Sequence, residues 1–79
     1  MTTLNLGNLA TFRLVVQRGS FSAAADALGI SQPAVSLQVR QLEQFLQTRL
    51  LERTGRGIKA TAAGMALLAH SEQIDRAVN

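Results

Sequence analysis

The stretch "GISQPAVSLQVRQLE", residues 29–43, decides how the chain is read. Its only proline follows a serine and a glutamine, yet an apolar pattern continues beyond it without a break. A proline in the first turn of a helix removes an N–H that has no intrahelical partner, so Pro33 opens a helix here and does not break one. Ser31 is the matching N-cap, its side chain positioned to accept from a free N–H of the first turn. Val35, Val39, Leu42 and Leu46 then recur at helical spacing as a stripe facing a core. Gln32, Ser36, Leu37, Arg40 and Gln41 fall on the other side and are expected to face outward. No acidic residue interrupts that face before Glu43.

Working outward, the preceding residues supply two further helices. Leu9, Phe12, Val15 and Val16 predict a helix from Leu6 to Arg18, stopped by Gly19. "AAADAL" predicts a short helix over about 22–28, capped by Ser20 or Ser22 and closed by Gly29. Two short helices joined by a glycine-containing turn form a helix-turn-helix candidate. Small Ala25 permits a close crossing of the second and third helices. Ile30 and Val35 are expected to plug the gap between them.

After residue 47 the pattern changes. "RLLERTGRGIKAT" places glycines on both sides of Arg56 with short apolar runs beyond. This predicts a β-hairpin, with strands near 50–53 and 58–60 and a turn over 54–57. Arg49, Arg53, Arg56 and Lys59 crowd this segment against Glu52 alone. The last helix is expected to start after Thr61 as N-cap. Its Met65, Leu67, Leu68, Ile74 and Val78 form more apolar surface than a small core uses, which predicts pairing with a second subunit. The chain reaches Asn79 with no helix stop signal, as expected of a chain cut inside or just after this helix.

Seventy-nine residues, 47% apolar, suit one small globular domain. The net charge is +3, and its clustering favours a polyanionic partner. The chain has no cysteine, which excludes disulfides and thiolate metal sites. It shows no signal-peptide pattern and no stretch of membrane-spanning length. An enzyme is disfavoured: there is one histidine, His70, and five scattered acidic residues, with no catalytic triad, metal-ligand cluster or phosphate loop. No catalytic, metal or cofactor residues are therefore assigned. A winged helix serving only protein–protein contact is the alternative, and the basic hairpin and acid-free helix face weigh against it.

The run "FSAAADALGISQPAVSLQVRQLE" followed by "LLERTGRGIKATAAG" resembles the N-terminal DNA-binding domain of LysR-type bacterial transcriptional regulators. The likeness spans the chain from Leu4 into the last helix. The resemblance implies a mainly α fold, a winged helix-turn-helix over 1–60, with a long linker and dimerisation helix over 61–79. It implies a recognition helix at about 32–46 in the major groove of double-stranded DNA and a wing at about 51–60 in the minor groove. Carried over by position, DNA contacts fall on Gln32, Pro33, Ser36, Leu37, Arg40, Arg53 and Arg56. Ser20 and Ser22 at the second helix are expected to touch phosphates.

The resemblance also implies a homodimer on a pseudo-palindromic site, a tetramer in the full-length protein, and a cytoplasmic, nucleoid-associated location. A small-molecule effector would bind a C-terminal domain outside this sequence. Some positions depart from the family pattern. Leu37 stands where Arg or another polar residue is common, which favours apolar contact with a thymine methyl there. Gln47 replaces a usual Gly, Leu51 a usual Phe, and Ala60 a common Leu, and these bear on turn geometry and packing.

Overall fold

The computed structural model describes the backbone of residues 4–78 and the side chains of residues 4–71. The order is α1 (Leu6–Arg18), α2 (Phe21–Leu28), α3 (Gln32–Leu46), β1 (Leu51–Thr54), β2 (Gly57–Ala60) and α4 (Ala62–Val78). The helix bounds expected from the sequence hold, apart from α2, which begins at Phe21 because Ser20 is its cap.

Each helix starts on a side chain that accepts from an unpaired N–H, the arrangement that stabilises a helix N-terminus. Asn5 accepts from the Asn8 N–H, Ser20 from Ala23 and Ser31 from Ala34. Gly19 and Gly29, both left-handed, close α1 and α2. The end of α3 is different. Gln47 takes the same left-handed conformation at φ 54° although it carries a side chain. Its N–H returns to the Gln44 carbonyl and that of Thr48 to Glu43, the paired bonds of a Schellman cap. Left-handed backbone costs a residue with a Cβ about 1 to 2 kcal/mol more than glycine. Gln47→Gly is therefore expected to stabilise the fold by about 0.5 to 1 kcal/mol after the added freedom of the unfolded chain is counted. Thermal melts should show the midpoint rising by about 2 to 8 °C.

The core lies where α1, α2 and α3 meet. Phe12, Val15, Ala24, Ala25, Val35, Val39 and Leu42 are buried there, joined by Leu9, Leu50 and Leu51. The alanines let α2 lie close to α3, as the sequence suggested. Two expectations are corrected. Leu46 is 36% exposed, as is its neighbour Phe45 to a similar degree, so the last turn of α3 extends past the helices that cover it. Ile30 does not plug the core with Val35. Its N–H bonds back to the Ala25 carbonyl, which places it in the surface turn that closes α2. Polar bonds also tie α1 to α3: Asn8 Nδ2 donates to Gln41 Oε1 at 3.2 Å, and Thr11 Oγ1 to Gln38 Oε1.

The hairpin is antiparallel and pairs Leu51 with Ala60 through Thr54 with Gly57. It is shifted by one residue at its start, and its turn is tighter than expected, with Gly55 and Arg56 alone between the strands. Leu50 keeps only half of the next pairing: its carbonyl accepts from the Thr61 N–H, but its own N–H donates to the Glu43 carboxylate.

Thr61 fixes the start of α4. Its hydroxyl donates to the Arg49 carbonyl at 2.6 Å and accepts from the Gly64 N–H. A Cβ on Gly64 would overlap the Leu50 carbonyl oxygen and come within 3.2 Å of the Ala60 Cβ. Gly64 is the residue that lets α4 lie directly on the strand entry. The expected division between 60 and 61 thus falls inside a hydrogen-bonded joint.

Candidate nucleic-acid interface

The first turns of α3 present Gln32, Pro33, Leu37 and Arg40 to solvent, with Ser36 half-buried. These five residues line one shallow concavity of about 600 Å³. Leu37 is 53% exposed at its rim. The turn of the helix explains the grouping: positions 32, 36 and 40, and 33 and 37, are one helical turn apart and share a side.

A larger groove of about 670 Å³ separates α3 from the wing. Ser36, Arg40 and Glu43 line it from the helix, Arg49 and Arg53 from the wing side. Phe21 also lines it, so the N-terminus of α2 opens beside the same groove. Ser36 and Arg40 belong to both hollows, which makes the α3 face and the wing one continuous surface.

The charges on this surface are unequal. Lys59 is held by Glu52 at 3.6 Å across the hairpin, an exposed pair of small energetic value. Glu43 Oε2 accepts from the Leu50 N–H at 2.8 Å and the Leu51 N–H at 3.4 Å. Arg40, Arg49, Arg53 and Arg56 are in no ion pair among the described residues. Positive charge is thus left over for an outside anion. Arg56 stands at the wing tip, where its N–H donates to Thr54 Oγ1 at 3.2 Å and orders the turn. Gly57, at φ 136°, brings the turn end of the wing near the α1–α2 corner, where a Cβ would lie 3.3 Å from the Gly19 carbonyl oxygen.

The residues singled out in the sequence are therefore brought together on α3 and the wing. Ser20 and Ser22 sit at the start of α2; Ser22 is exposed, whereas the Ser20 oxygen is already used as a cap and keeps only its hydroxyl hydrogen for an anion. Gln41 is exposed but bonded to Asn8, which withdraws it from the outward reading set. On α4, Met65 is 60% exposed. Leu67 and Leu68 pack partly against this chain's own core. Ile74 and Val78 lie outside the residues whose side chains are described. Sequence reasoning missed Glu43, Arg49 and Phe21 as groove residues. Clustering marked Arg49 as basic, but nothing local ties Glu43 to residues 50 and 51.

Among the described residues no helix is long and apolar enough to cross a membrane. No three His, Asp or Glu side chains there are grouped to hold a metal.

A helical core with its third helix exposed beside a basic hairpin defines a winged helix-turn-helix protein. Residues 6–65 match the family model described as "Bacterial regulatory helix-turn-helix protein, lysR family", and the chain belongs to that family. It is 45% identical over 71 residues to an uncharacterized HTH-type transcriptional regulator of the ibpB-leuC intergenic region of Azotobacter vinelandii, covering 90% of this chain and 49% of that protein. It is 46% identical over 69 residues to a probable RuBisCO transcriptional regulator of a Nostoc species, covering 87% of this chain and 20% of that protein. Among solved structures, the DNA-binding domain of BenM in complex with catB site 1 DNA superposes with a TM-score of 0.87 and 37% identity, over 95% of this chain and 83% of that one. Full-length CbnR complexed with its target DNA gives 0.84 and 40%, over 92% of this chain and 25% of that one. The chain thus spans about half the length of the Azotobacter relative and about a fifth of the Nostoc one.

Proposed function

We propose that this chain binds double-stranded DNA sequence-specifically, as the DNA-binding part of a bacterial transcriptional regulator. The observation that carries the proposal is the continuous surface formed by α3 and the wing, where Arg40, Arg49 and Arg53, in no ion pair among the described residues, lie beside the hydrogen-bonding side chains of Gln32 and Ser36. The solved DNA complexes of BenM and CbnR support the same reading. In this account α3 enters the major groove, whose base edges present distinct donor and acceptor patterns. Gln32 can bond an adenine edge in two places, and Ser36 can reach a base or phosphate. Arg53 and Arg56 follow the backbone, with Arg56 entering the minor groove, where negative potential attracts arginine.

Contacts to phosphate position the protein and contacts to bases specify the site. Gln32→Ala and Ser36→Ala are expected to weaken the cognate site by about 5- to 150-fold each while leaving random DNA nearly unchanged. Arg56→Ala should weaken both by a similar factor and make the logarithmic salt slope shallower by about 0.9. Titrations of labelled cognate and random duplexes check this. Equal effects of all substitutions on both duplexes would contradict the division of labour.

The regulator acts as a homodimer through α4, with Met65, Leu67, Leu68, Ile74 and Val78 as the contact set and Met65 its most exposed described member. The two α3 helices then address half-sites spaced in steps of roughly 34 Å. Sedimentation at micromolar concentration tests this, and a clean monomer counts against it. The whole protein is a cytoplasmic ligand-responsive regulator, a tetramer whose small-molecule effector binds a C-terminal domain, with no cofactor held by the residues of this chain. In-vitro selection of bound duplexes tests the central proposal. Enrichment of a palindromic site supports it; no enrichment at low salt would leave a protein-contact module as the better reading.

A further inference from the structure

Leu37 is an apolar side chain, 53% exposed, on the surface where every other reading residue except Pro33 is polar. Among the described residues it stays outside the core, whose α3 stripe lies elsewhere on the helix at Val35, Val39 and Leu42. Pro33 is one turn earlier on the same side and is also exposed. Together they give the concavity an apolar patch among its polar lining residues Gln32, Ser36 and Arg40. Arg40 in this hollow and Arg49 and Arg53 in the adjoining groove favour a polyanion over an apolar protein partner, so the group meeting that patch belongs to nucleic acid. In the major groove the apolar group a base offers is the C5 methyl of thymine. The same methyl, in the same position on the ring, is carried by 5-methylcytosine.

We propose that Leu37 and Pro33 form a methyl-reading site, so that this chain recognises the 5-methyl group of a pyrimidine whichever base carries it. The proposal rests on the DNA-binding reading above. Its consequence is that specificity at this position comes from apolar burial and not from hydrogen bonding. Cytosine methylation there would convert a poor site into a better one.

The test uses the duplex obtained by in-vitro selection. Each thymine is replaced singly by deoxyuridine, which removes the methyl and keeps every hydrogen-bonding group. Burying one methyl predicts about a four-fold loss of affinity at one thymine of each half-site. At that position cytosine is expected to bind about four-fold more weakly than 5-methylcytosine. Leu37→Ala should abolish both ratios, with its melting midpoint unchanged because the side chain is outside the core. Leu37→Met, which keeps an apolar tip, should retain them. If no thymine responds to deoxyuridine, or if Leu37→Ala keeps the wild-type ratios, the methyl-reading proposal is overturned while DNA binding stands. If selection enriches no duplex, the DNA-binding reading itself fails, and this proposal with it.

Discussion

Gly64→Ala is expected to destabilise the fold by about 3 kcal/mol. The added Cβ would overlap the Leu50 carbonyl oxygen and crowd the Ala60 side chain. Neither neighbour can yield cheaply. The Leu50 carbonyl already accepts the Thr61 N–H at 3.0 Å, and Ala60 is locked opposite Leu51 in the hairpin register. Relief requires α4 to move away from the strand entry, which would break the bonds from the Thr61 hydroxyl to Arg49 and from Gly64 to Thr61. For a domain of this size, total stability is only about 4 to 12 kcal/mol. The melting midpoint should therefore fall by about 12 to 24 °C. Ala66→Gly, at an exposed position of the same helix, serves as the comparison, and its cost should be about 1 kcal/mol from helix propensity alone. A Gly64→Ala midpoint within a few degrees of wild type would show that α4 does not press on Leu50 as described.

Glu43→Ala has the second largest expected effect on stability. The Glu43 carboxylate is the joint between α3 and the wing, accepting from the N–H groups of Leu50 and Leu51. Both residues are buried, at 1% and 6% exposure, although Glu43 and Leu51 also border the groove, so water offsets part of the lost acceptor. Leaving a buried donor unpaired costs about 1 to 3 kcal/mol, and a charged acceptor raises the value. The expected loss is about 2 kcal/mol, or about 8 to 16 °C in midpoint. Glu43→Gln keeps an accepting oxygen and should lose about half as much. The same residue lines the groove with Arg40, Arg49 and Arg53, so its negative charge opposes phosphate there. Glu43→Gln should therefore bind random DNA a few-fold more tightly at low salt although it folds less stably. Binding and melting measured on one preparation separate the two effects. Coincident losses of stability and of low-salt binding would contradict this placement of the carboxylate.

These two residues also mark the limit of what the sequence discloses. The α3 stripe, the caps at Ser31 and Thr61 and the glycine-flanked wing tip are written in local patterns of a few residues. A period of 3.6 placed Val35, Val39 and Leu42 inside, and by elimination placed Gln32, Ser36 and Arg40 outside. Glu43 and Gly64 belong to family motifs that are recognisable as letters, but their roles depend on meeting Leu50, which is distant along the helix or strand pattern. The same holds for Gln41, which periodicity turns outward and Asn8 then occupies. Leu46 and Ile30 failed in the opposite way. Their spacing suits a core, but a helix end and a closing turn leave them partly exposed at 36% and 38%. How far Leu67 and Leu68 pack against the core is likewise a tertiary property that spacing along α4 does not disclose.

The most direct test of the central claim is the salt dependence of duplex binding by the wild-type chain. If Arg40, Arg49, Arg53 and Arg56 each neutralise about one phosphate, log affinity for random duplex falls against log salt with a slope of about −3 to −4 per chain. The selected site should show a similar slope at higher affinity, because base contacts displace few counterions. Absence of binding at low salt, or a slope near zero for both duplexes, would contradict the account of α3 and the wing as a DNA-binding surface.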